Sequence, residues 1–162
     1  MSTDPLTQEV EAFIDSLQSF TLATLDHAGQ PAASYTPFCR LNSSYGIYIS
    51  SLSEHTQQLL DDPHLSVMWI ADEQDSTNPF SRRRLIAQAK AACHPRGSKG
   101  FERISSQMSL RFPQMMQVLI NLEDFLAFEI ELKSCRFIKG FGKAYLSETG
   151  SLNSFEHIGP KQ

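Results

Sequence analysis

Cysteine is scarce in this sequence, and the three that occur form no recognisable set. Cys39, Cys93 and Cys135 are odd in number, widely spaced and without a CxxC pair, so they predict neither a complete disulfide framework nor a zinc ribbon. No apolar run approaches the roughly 20 residues that span a bilayer. The polar start, residues 1–10, has no basic stretch followed by an apolar one, so no secretion signal is visible. We expect a cytoplasmic protein without a membrane partner.

Several signatures of common enzymes are also missing. There is no HExxH, no GxSxG and no P-loop, which removes support for zinc proteases, serine hydrolases and P-loop nucleotide hydrolases. An excess of basic charge is missing too, because 14 Lys and Arg residues face 18 Asp and Glu, for a formal net charge of −4. A general nucleic-acid binder normally carries a basic face, so we expect no nucleic-acid partner. A local basic pocket is compatible with this balance.

The size and composition are those of one globular domain. With 162 residues, 41% of them apolar and 20% charged, the chain is long enough for a real core. We expect a single domain over 1–162, with an N-terminal helix within 1–18 and a C-terminal tail from 147 to 162. A barrel of this size leaves little room for a deep pocket of its own, so a large cofactor is expected at a subunit interface.

The apolar periodicity predicts an α+β protein built on an antiparallel barrel with flanking helices. Helical spacing of apolar residues predicts helices at 3–17, 53–60, 98–111 and 113–122. Strand-like runs bounded by turn residues are found at 20–25, 31–39, 46–50, 64–71, 84–93, 125–132 and 136–146. The last two strands are expected to be joined by a turn at 133–135, and the Gly-Phe-Gly element at 140–142 to mark a bend or bulge.

One candidate anion site lies where a predicted strand leads directly into a helix. Ser51 and Ser53 supply hydroxyl groups there, and His55 lies in the first helical turn. Unpaired backbone N–H groups and the positive end of the helix dipole make such a start a ready anion site. The alternative is that Ser53 only caps the helix, as serine commonly does.

A second candidate anion site is the arginine run at 82–84. In an extended chain Arg82 and Arg84 project to one face and Arg83 to the other. Two guanidinium groups on one face repel each other unless an anion lies between them, and their planar forks suit phosphate or carboxylate. The alternative is a solvated edge strand that discourages aggregation. Together the two segments suggest an anionic cofactor or substrate.

These residues resemble a known superfamily. FTLATLD (20–26), GQP (29–31) and SYTPF (34–38) resemble the FMN-binding split β-barrels that include pyridoxamine 5'-phosphate oxidase. Four later strings resemble its haem-utilisation branch, the HugZ/HutZ-like proteins: ISSLSEHT (49–56), FSRRRL (80–85), LEDF (122–125) and FIKGFGKAY (137–145). The last string is the most specific of them. The resemblance covers residues 11 to 158.

The resemblance implies a split-barrel homodimer with two equivalent cofactor sites at the subunit interface. In the flavin branch, residues comparable to Ser53, Arg82 and Arg84 hold the FMN phosphate, and His55 stands where a lysine is usual. In the haem branch, an aspartate matching Asp124 lies near the haem, and a tail histidine is the axial ligand.

The tail of the haem branch continues past a Phe-x-His element to a Gly-His pair, whose histidine binds the iron. Here Gly159 is followed by Pro160, which makes His157 the candidate ligand. In the mechanism that the resemblance implies, His157 binds the iron and Asp124 supports the hydrogen bonding around it. Oxygen and electrons from an unidentified donor then open the macrocycle and free the iron.

Three functions follow from the residues and the resemblance. The first is a haem-binding protein of the haem-utilisation type, with or without haem degradation. The second is an FMN-binding oxidoreductase of the pyridoxamine 5'-phosphate oxidase class, and the third is a non-catalytic cofactor-binding dimer. The anion site alone does not separate them, because the FMN phosphate and the haem propionates both suit paired arginines. Only haem requires an axial ligand such as histidine.

Overall fold

The computed structural model describes residues 4–159, which form four α helices and nine strands. The helices are α1 (Pro5–Asp15), α2 (Glu54–Asp61), α3 (Lys99–Arg111) and α4 (Pro113–Leu119). The strands are β1 (Ser19–Leu25), β2 (Pro31–Pro37), β3 (Cys39–Arg40), β4 (Tyr45–Ser50), β5 (His64–Ile70), β6 (Arg84–His94), β7 (Phe125–Gly140), β8 (Lys143–Ser147) and β9 (Glu156–Ile158). No helix within residues 4–159 is long and apolar enough to cross a membrane.

All the strands belong to one antiparallel sheet. Its order is β2-β1-β5-β6-β7-β4-β3, with β8 paired to the C-terminal half of β7 and β9 paired to β8. Buried side chains from β1, β4, β5, β6 and β7 meet in one core, so the sheet curls around its own interior. The expected α+β fold of an antiparallel sheet with flanking helices is confirmed.

The first helix begins at Pro5, within the predicted span 3–17. The Asp4 carboxylate accepts a hydrogen bond from the Thr7 backbone N–H at 2.9 Å, and Pro5 occupies the first turn. Val10, Phe13 and Ile14 form the buried face of α1, and the Phe13 ring lies 5.8 Å from the Phe137 ring of β7. This helix therefore closes one end of the sheet's core.

The turn predicted at 133–135 is wrong, because β7 continues through it. Gln88 pairs with Ser134 and Ala89 pairs with Leu132, which leaves Lys133 as an extra residue in a β-bulge. A bulge shifts the alternation of side chains by one position. The buried positions accordingly change from 128, 130 and 132 to 135 and 137, which is why a single bent strand looks like two.

Two further boundaries differ from expectation. The second strand ends at Pro37, and Cys39–Arg40 pairs separately with β4 as β3. The Gly-Phe-Gly element at 140–142 forms the hairpin turn between β7 and β8, and its Gly142 has a φ of 68°. Glycine adopts that left-handed conformation without steric cost, so the predicted bend is a complete reversal of the chain.

Helices α3 and α4 cover only part of the outer surface of the sheet. A second core joins them to the start of β7 and to β4, through Tyr48, Phe101, Ile104, Met116 and Ala127. The outer side chains of β5, β6, β8 and the far half of β7 are exposed or only partly buried, and we call this surface the open face. Its apolar members are Met68, Ile70, Ile86, Ile138 and Leu146.

Glu129 of β7 connects α3 to the sheet. Its carboxylate accepts hydrogen bonds from the Ser44 hydroxyl at 2.6 Å, from His94 Nε2 at 3.0 Å and from Arg103 Nη2 at 2.9 Å. Burial raises the pKa of this carboxyl, but the bonds from Ser44 and His94 and the charge of Arg103 outweigh burial and lower it below 4.5.

Because the Glu129 pKa is lower in the folded state, its stabilising effect is complete above the ordinary value of 4.5 and is lost as the pH falls below it. We expect the free energy of unfolding of the wild type to decline more steeply below about pH 4.5 than that of Glu129→Gln. Urea denaturation of both proteins across this range measures the difference. Parallel pH profiles would contradict the assignment.

Candidate cofactor site

The end of β4 and the start of β7 meet in a polar corner around Asp124. Asp124 Oδ2 accepts a hydrogen bond from the Ser50 hydroxyl at 2.6 Å, and the Asp124 carbonyl accepts one from the Ser51 N–H at 2.7 Å. The Leu52 N–H donates to the Ser50 hydroxyl at 3.1 Å. The half-buried Asp124 carboxylate is therefore held beside the chain that enters α2.

The start of α2 keeps its polar groups available. Ser53 is the N-cap residue, but its hydroxyl makes no capping bond, nor any other hydrogen bond within residues 4–159. The N–H groups of Glu54 and His55 have no acceptor within residues 4–159, whereas the Thr56 N–H donates to the Ser53 carbonyl at 3.1 Å. Gln57 instead steadies the preceding chain by donating to the Ser51 carbonyl at 2.7 Å. Simple capping therefore does not account for Ser53.

His55 is half-buried in the first turn of α2. Its Nδ1 lies 3.0 Å from the Ser34 hydroxyl of β2, and burial lowers the pKa of the imidazole below 6.5, so the ring is neutral at pH 7. Its Nε2 has no hydrogen-bond partner in the part of the chain that the structure describes. Ser34 was not anticipated from the sequence, because only the fold brings β2 to α2.

The side chains of the arginine run at 82–84 point in two directions. Arg82 precedes β6; its Nε donates to the Ala71 carbonyl and its Nη1 lies 3.6 Å from Glu73 Oε1. Arg84 begins β6 and donates to the Arg82 carbonyl at 2.7 Å. Within residues 4–159 the half-buried Arg84 has no carboxylate partner. A guanidinium that retains its charge without a counter-ion is suited to binding an anion.

Arg83 faces the other way. Its Nη2 lies 3.3 Å from Glu9 Oε1, and its guanidinium carbon lies 5.7 Å from the centre of the Phe13 ring. Both partners belong to α1. Arg83 therefore has a structural role in fixing that helix, separate from Arg82 and Arg84.

His157 lies on β9, paired with Tyr145 of β8. Its Nε2 lies 3.0 Å from the Gly142 carbonyl oxygen, and its ring meets the Tyr145 ring edge-on at 5.4 Å. Because a carbonyl oxygen only accepts, Nε2 donates the proton in this contact, and Nδ1 is the ring nitrogen without a hydrogen-bond partner within residues 4–159. Pro160, the residue in the position of the expected tail ligand, lies outside the described residues.

The predicted site residues fall into two groups within one protomer. The first half-site contains Ser51, Ser53, His55 and Asp124; the second contains Arg82, Arg84 and His157. On β7, Phe125 pairs with Ser50 and Ile138 pairs with Arg84, a contour separation of about 43 Å at the usual rise per residue. No hydrogen bond or ion pair within residues 4–159 joins the two groups.

Large apolar side chains stand exposed beside each half-site. Leu52, between the two serines, is 86% exposed, and Phe80, two residues before Arg82, is 85% exposed. Exposed apolar side chains of this size beside polar binding groups are typical of a surface that a partner or ligand covers.

Neither of two clefts on the surface of the protomer combines the two half-sites. The larger, of about 780 Å³, lies between the turn at 42–44, the bulge of β7 and the loop at 149–153, and none of the predicted site residues lines it. The smaller, of about 720 Å³, includes Arg82 with residues of α1 and the loop at 75–78. Each half-site is therefore open to the surface.

Comparison with known proteins agrees with the fold and the sequence motifs. Residues 6–139 match the family described as pyridoxamine 5'-phosphate oxidase. The chain is 33% identical over 153 residues to a protein named heme oxygenase HutZ from Vibrio cholerae serotype O1, covering 94% of this chain and 87% of that protein.

Two solved structures extend the comparison. The crystal structure of Campylobacter jejuni ChuZ superposes with a TM-score of 0.87 at 29% identity, covering 98% of this chain, which spans only 64% of the length of ChuZ. The crystal structure of HutZ, described as the heme storage protein from Vibrio cholerae, gives a TM-score of 0.78 at 33% identity over 85% of this chain and 96% of that one. The chain therefore belongs to the pyridoxamine 5'-phosphate oxidase family of split barrels, within the branch that includes HutZ and ChuZ.

Proposed function

We propose that this chain is a haem-binding protein of the haem-utilisation type. The observation that carries the proposal is the 33% identity to heme oxygenase HutZ over 94% of the chain. The names of the relatives include both an oxygenase and a storage protein, and haem binding is what those names share. Oxygen-dependent haem degradation with release of iron is the catalytic form of this proposal, and a non-catalytic haem-binding dimer is the other form.

The residues of this chain fit a haem. Haem needs an axial ligand for iron and cations for its two propionates. Arg84 provides a guanidinium without a carboxylate partner within residues 4–159. Each half-site also contains one histidine with a ring nitrogen that has no hydrogen-bond partner within those residues, Nε2 of His55 and Nδ1 of His157. Leu52 and Phe80 offer exposed apolar surface, which suits the faces of the macrocycle.

Each residue then has a defined task. Arg82 and Arg84 would bind the propionates, and His157 would hold the iron. The Asp124 carboxylate, already fixed by Ser50, would accept a hydrogen bond from that imidazole and so set its orientation. When bound, haem supplies the oxygen and redox chemistry, with electrons from a donor that this chain does not identify.

We also propose that the complete site forms between two copies of the chain. The two half-sites lie at opposite ends of β7, so a haem that contacts both requires the first half-site of one protomer and the second half-site of its partner. The open face, with Met68, Ile86 and Ile138 among its partly buried residues, supports burial against a second copy. This arrangement would bring together two half-sites that no hydrogen bond or ion pair joins within residues 4–159 of one protomer.

An FMN-binding oxidoreductase is the second candidate. The uncapped start of α2 suits a phosphate, and the family is named after an oxidase of a phosphorylated substrate. His55 is neutral, however, whereas a cation in this position would stabilise a phosphate more strongly.

Titration of the purified protein with haemin and, separately, with FMN distinguishes the candidates. A sharp shift of the Soret band at one haemin per protomer is expected, together with a dimer by analytical ultracentrifugation. Tight binding of FMN without a haemin response would overturn the proposal in favour of the oxidoreductase. Haemin binding by a monomer would overturn the shared site while leaving the haem function intact.

Arg84 gives a direct test of the anion contact. We expect Arg84→Gln to weaken haemin binding by about tenfold or more, because a hydrogen bond to a charged group contributes about 1.5–3 kcal/mol. Arg83→Gln is the matched control, since it removes the same charge from the adjacent position that faces Glu9. Equal haemin affinities for the two variants, measured by Soret titration, would place the propionates elsewhere.

A further inference from the structure

We propose that Arg96 is a positioning residue for Asp124: its guanidinium holds the carbonyls on both sides of Asp124 and thereby sets the direction of the Asp124 carboxylate in the haem site. Nothing in the sequence pattern singles out Arg96, which lies between Pro95 and Gly97 in the turn from β6 to α3. The proposal rests on the proposed function and adds a residue that does not touch the cofactor.

The contacts of Arg96 converge on one short segment, residues 120–125. Its Nη2 donates to the Leu122 carbonyl at 2.8 Å and to the Phe125 carbonyl at 3.3 Å, and its Nη1 donates to the Ile120 carbonyl at 3.4 Å. Asp124 lies between two of these acceptors. The segment connects α4 to β7, so Arg96 determines how the chain leaves the helix and enters the strand.

The guanidinium itself is fixed by aromatic neighbours. Its carbon lies 4.8 Å from the centre of the Phe101 ring, and Nη2 lies 3.3 Å from the Tyr48 hydroxyl. The Tyr48 ring stacks on Phe125 at 5.2 Å. Because these contacts restrict the planar group on several sides, the carbonyls that it binds are restricted as well.

Arg96 has no ion-pair partner within residues 4–159 that would explain it otherwise. Among the described residues, its positive charge lies against backbone carbonyls, the Phe101 ring and the Tyr48 hydroxyl, near the negative end of the α4 dipole, whose C-cap is Ile120. Lysine would retain the charge, but it would lack the planar fork that reaches several carbonyls at once.

Hydrogen bonds of Asp124 connect this segment to the first half-site. The Asp124 carbonyl accepts the Ser51 N–H at 2.7 Å, and its carboxylate accepts the Ser50 hydroxyl at 2.6 Å. Both serines immediately precede α2. A shift of segment 120–125 would therefore move the carboxylate and lengthen the bond to Ser51.

The apoprotein provides the first test, through hydrogen exchange of the Ser51 amide followed by NMR. In Arg96→Lys we expect this amide to exchange about tenfold faster than in the wild type, because its acceptor is no longer held in place. Arg96→Gln serves as a second variant if Arg96→Lys does not fold. Arg103→Lys is the matched control, because it makes the same chemical change at an arginine that binds Glu129.

If Arg96 only stabilised the fold, a variant that weakens the packing of α4 would accelerate Ser51 exchange as much as Arg96→Lys does. Met116→Ala weakens the packing of α4 in the second core, but it keeps the backbone hydrogen bond from the Ile120 N–H to the carbonyl of position 116 and every hydrogen bond of Arg96. We expect it to lower the melting temperature while Ser51 exchange stays close to wild type. Equal acceleration in Met116→Ala and Arg96→Lys, or unchanged exchange in Arg96→Lys, would overturn the proposal.

The haem complex provides the second readout. Arg96→Lys is expected to change the Soret band in the same direction as Asp124→Asn, whereas Arg103→Lys keeps the wild-type spectrum. A wild-type spectrum in Arg96→Lys would show that Asp124 is oriented without Arg96. If the wild type failed to bind haemin, the proposed function would be wrong, and the amide exchange would still decide whether Arg96 positions Asp124.

Discussion

Replacing His157 with alanine is expected to abolish the Soret band of a histidine-ligated haem and to weaken haemin binding by at least about tenfold, the lower end of the loss seen when groups that only orient a metal ligand are removed. The neutral imidazole supplies the lone pair that iron requires. Haemin titration followed by visible spectroscopy measures both changes. A wild-type spectrum in His157→Ala would exclude the tail histidine as the axial ligand.

His55→Ala is the matched comparison, because it removes the imidazole of the first half-site, whose Nε2 also has no hydrogen-bond partner within residues 4–159. His55 lies in the first half-site beside Ser34, so its loss is expected to reduce haemin affinity while the Soret position of a histidine ligand is retained. If His55→Ala abolished the band and His157→Ala did not, the iron ligand would be His55.

The hydrogen bond that His157 makes in the apoprotein affects which of its ring nitrogens can bind iron. In the apoprotein Nε2 donates to the Gly142 carbonyl, and ligation through Nε2 must break that bond and move the proton to Nδ1. Ligation through Nδ1 leaves the bond intact. In that case the turn between β7 and β8, in place of Asp124, would supply the hydrogen-bond acceptor that usually orients a metal-bound histidine.

Trp69→Ala is expected to give the largest loss of stability. Trp69 is fully buried, and its ring lies 5.1 Å from Phe20, 5.0 Å from Tyr45 and 5.8 Å from Phe38. Removing a large buried aromatic side chain costs about 3–5 kcal/mol, against a typical stability of about 5–15 kcal/mol. The melting temperature is expected to fall by about 6–20 °C, measured by circular dichroism because the protein contains no other tryptophan.

Trp69→Phe separates the size of the ring from its polar group. The indole Nε1 is buried without a hydrogen-bond partner in the part of the chain that the structure describes, so losing that N–H removes an unfavourable buried donor. We expect Trp69→Phe to cost clearly less than Trp69→Ala. Equal losses for the two variants would mean that aromatic packing does not dominate at this position.

The sequence predicted the first helix and most strands correctly because their signals are local. Asp4 and Pro5 mark the start of α1 within a few residues of its apolar stripe. The bulge at Lys133 could not be predicted in this way, because it is defined by the register of Gln88 and Ala89 on another strand. Polar residues at 133–135 look the same in a turn and in a bulge.

The candidate site was predictable only in part, for a similar reason. Residue types and the family resemblance identified Ser53, Arg84 and Asp124 as candidates, but not the separation of these residues along β7. The contacts of Ser34 with His55 and of Arg96 with the segment around Asp124 join residues far apart in the sequence. Neither follows a spacing rule, so neither could be read from the chain alone.

The position of β7 in the sheet has a consequence for how the molecule folds. This strand pairs with β4, β6 and β8, and it lies near the end of the chain. During synthesis α1 and the β1–β2 hairpin can form from neighbouring residues. Tyr45 of β4 can pair with Ile130 of β7 only after the intervening residues have been made. Sheets dominated by such distant pairings fold in milliseconds to seconds. Until β7 emerges, the pairing edges of β4 and β6 stand open, and this interval is when the nascent chain is most exposed to aggregation.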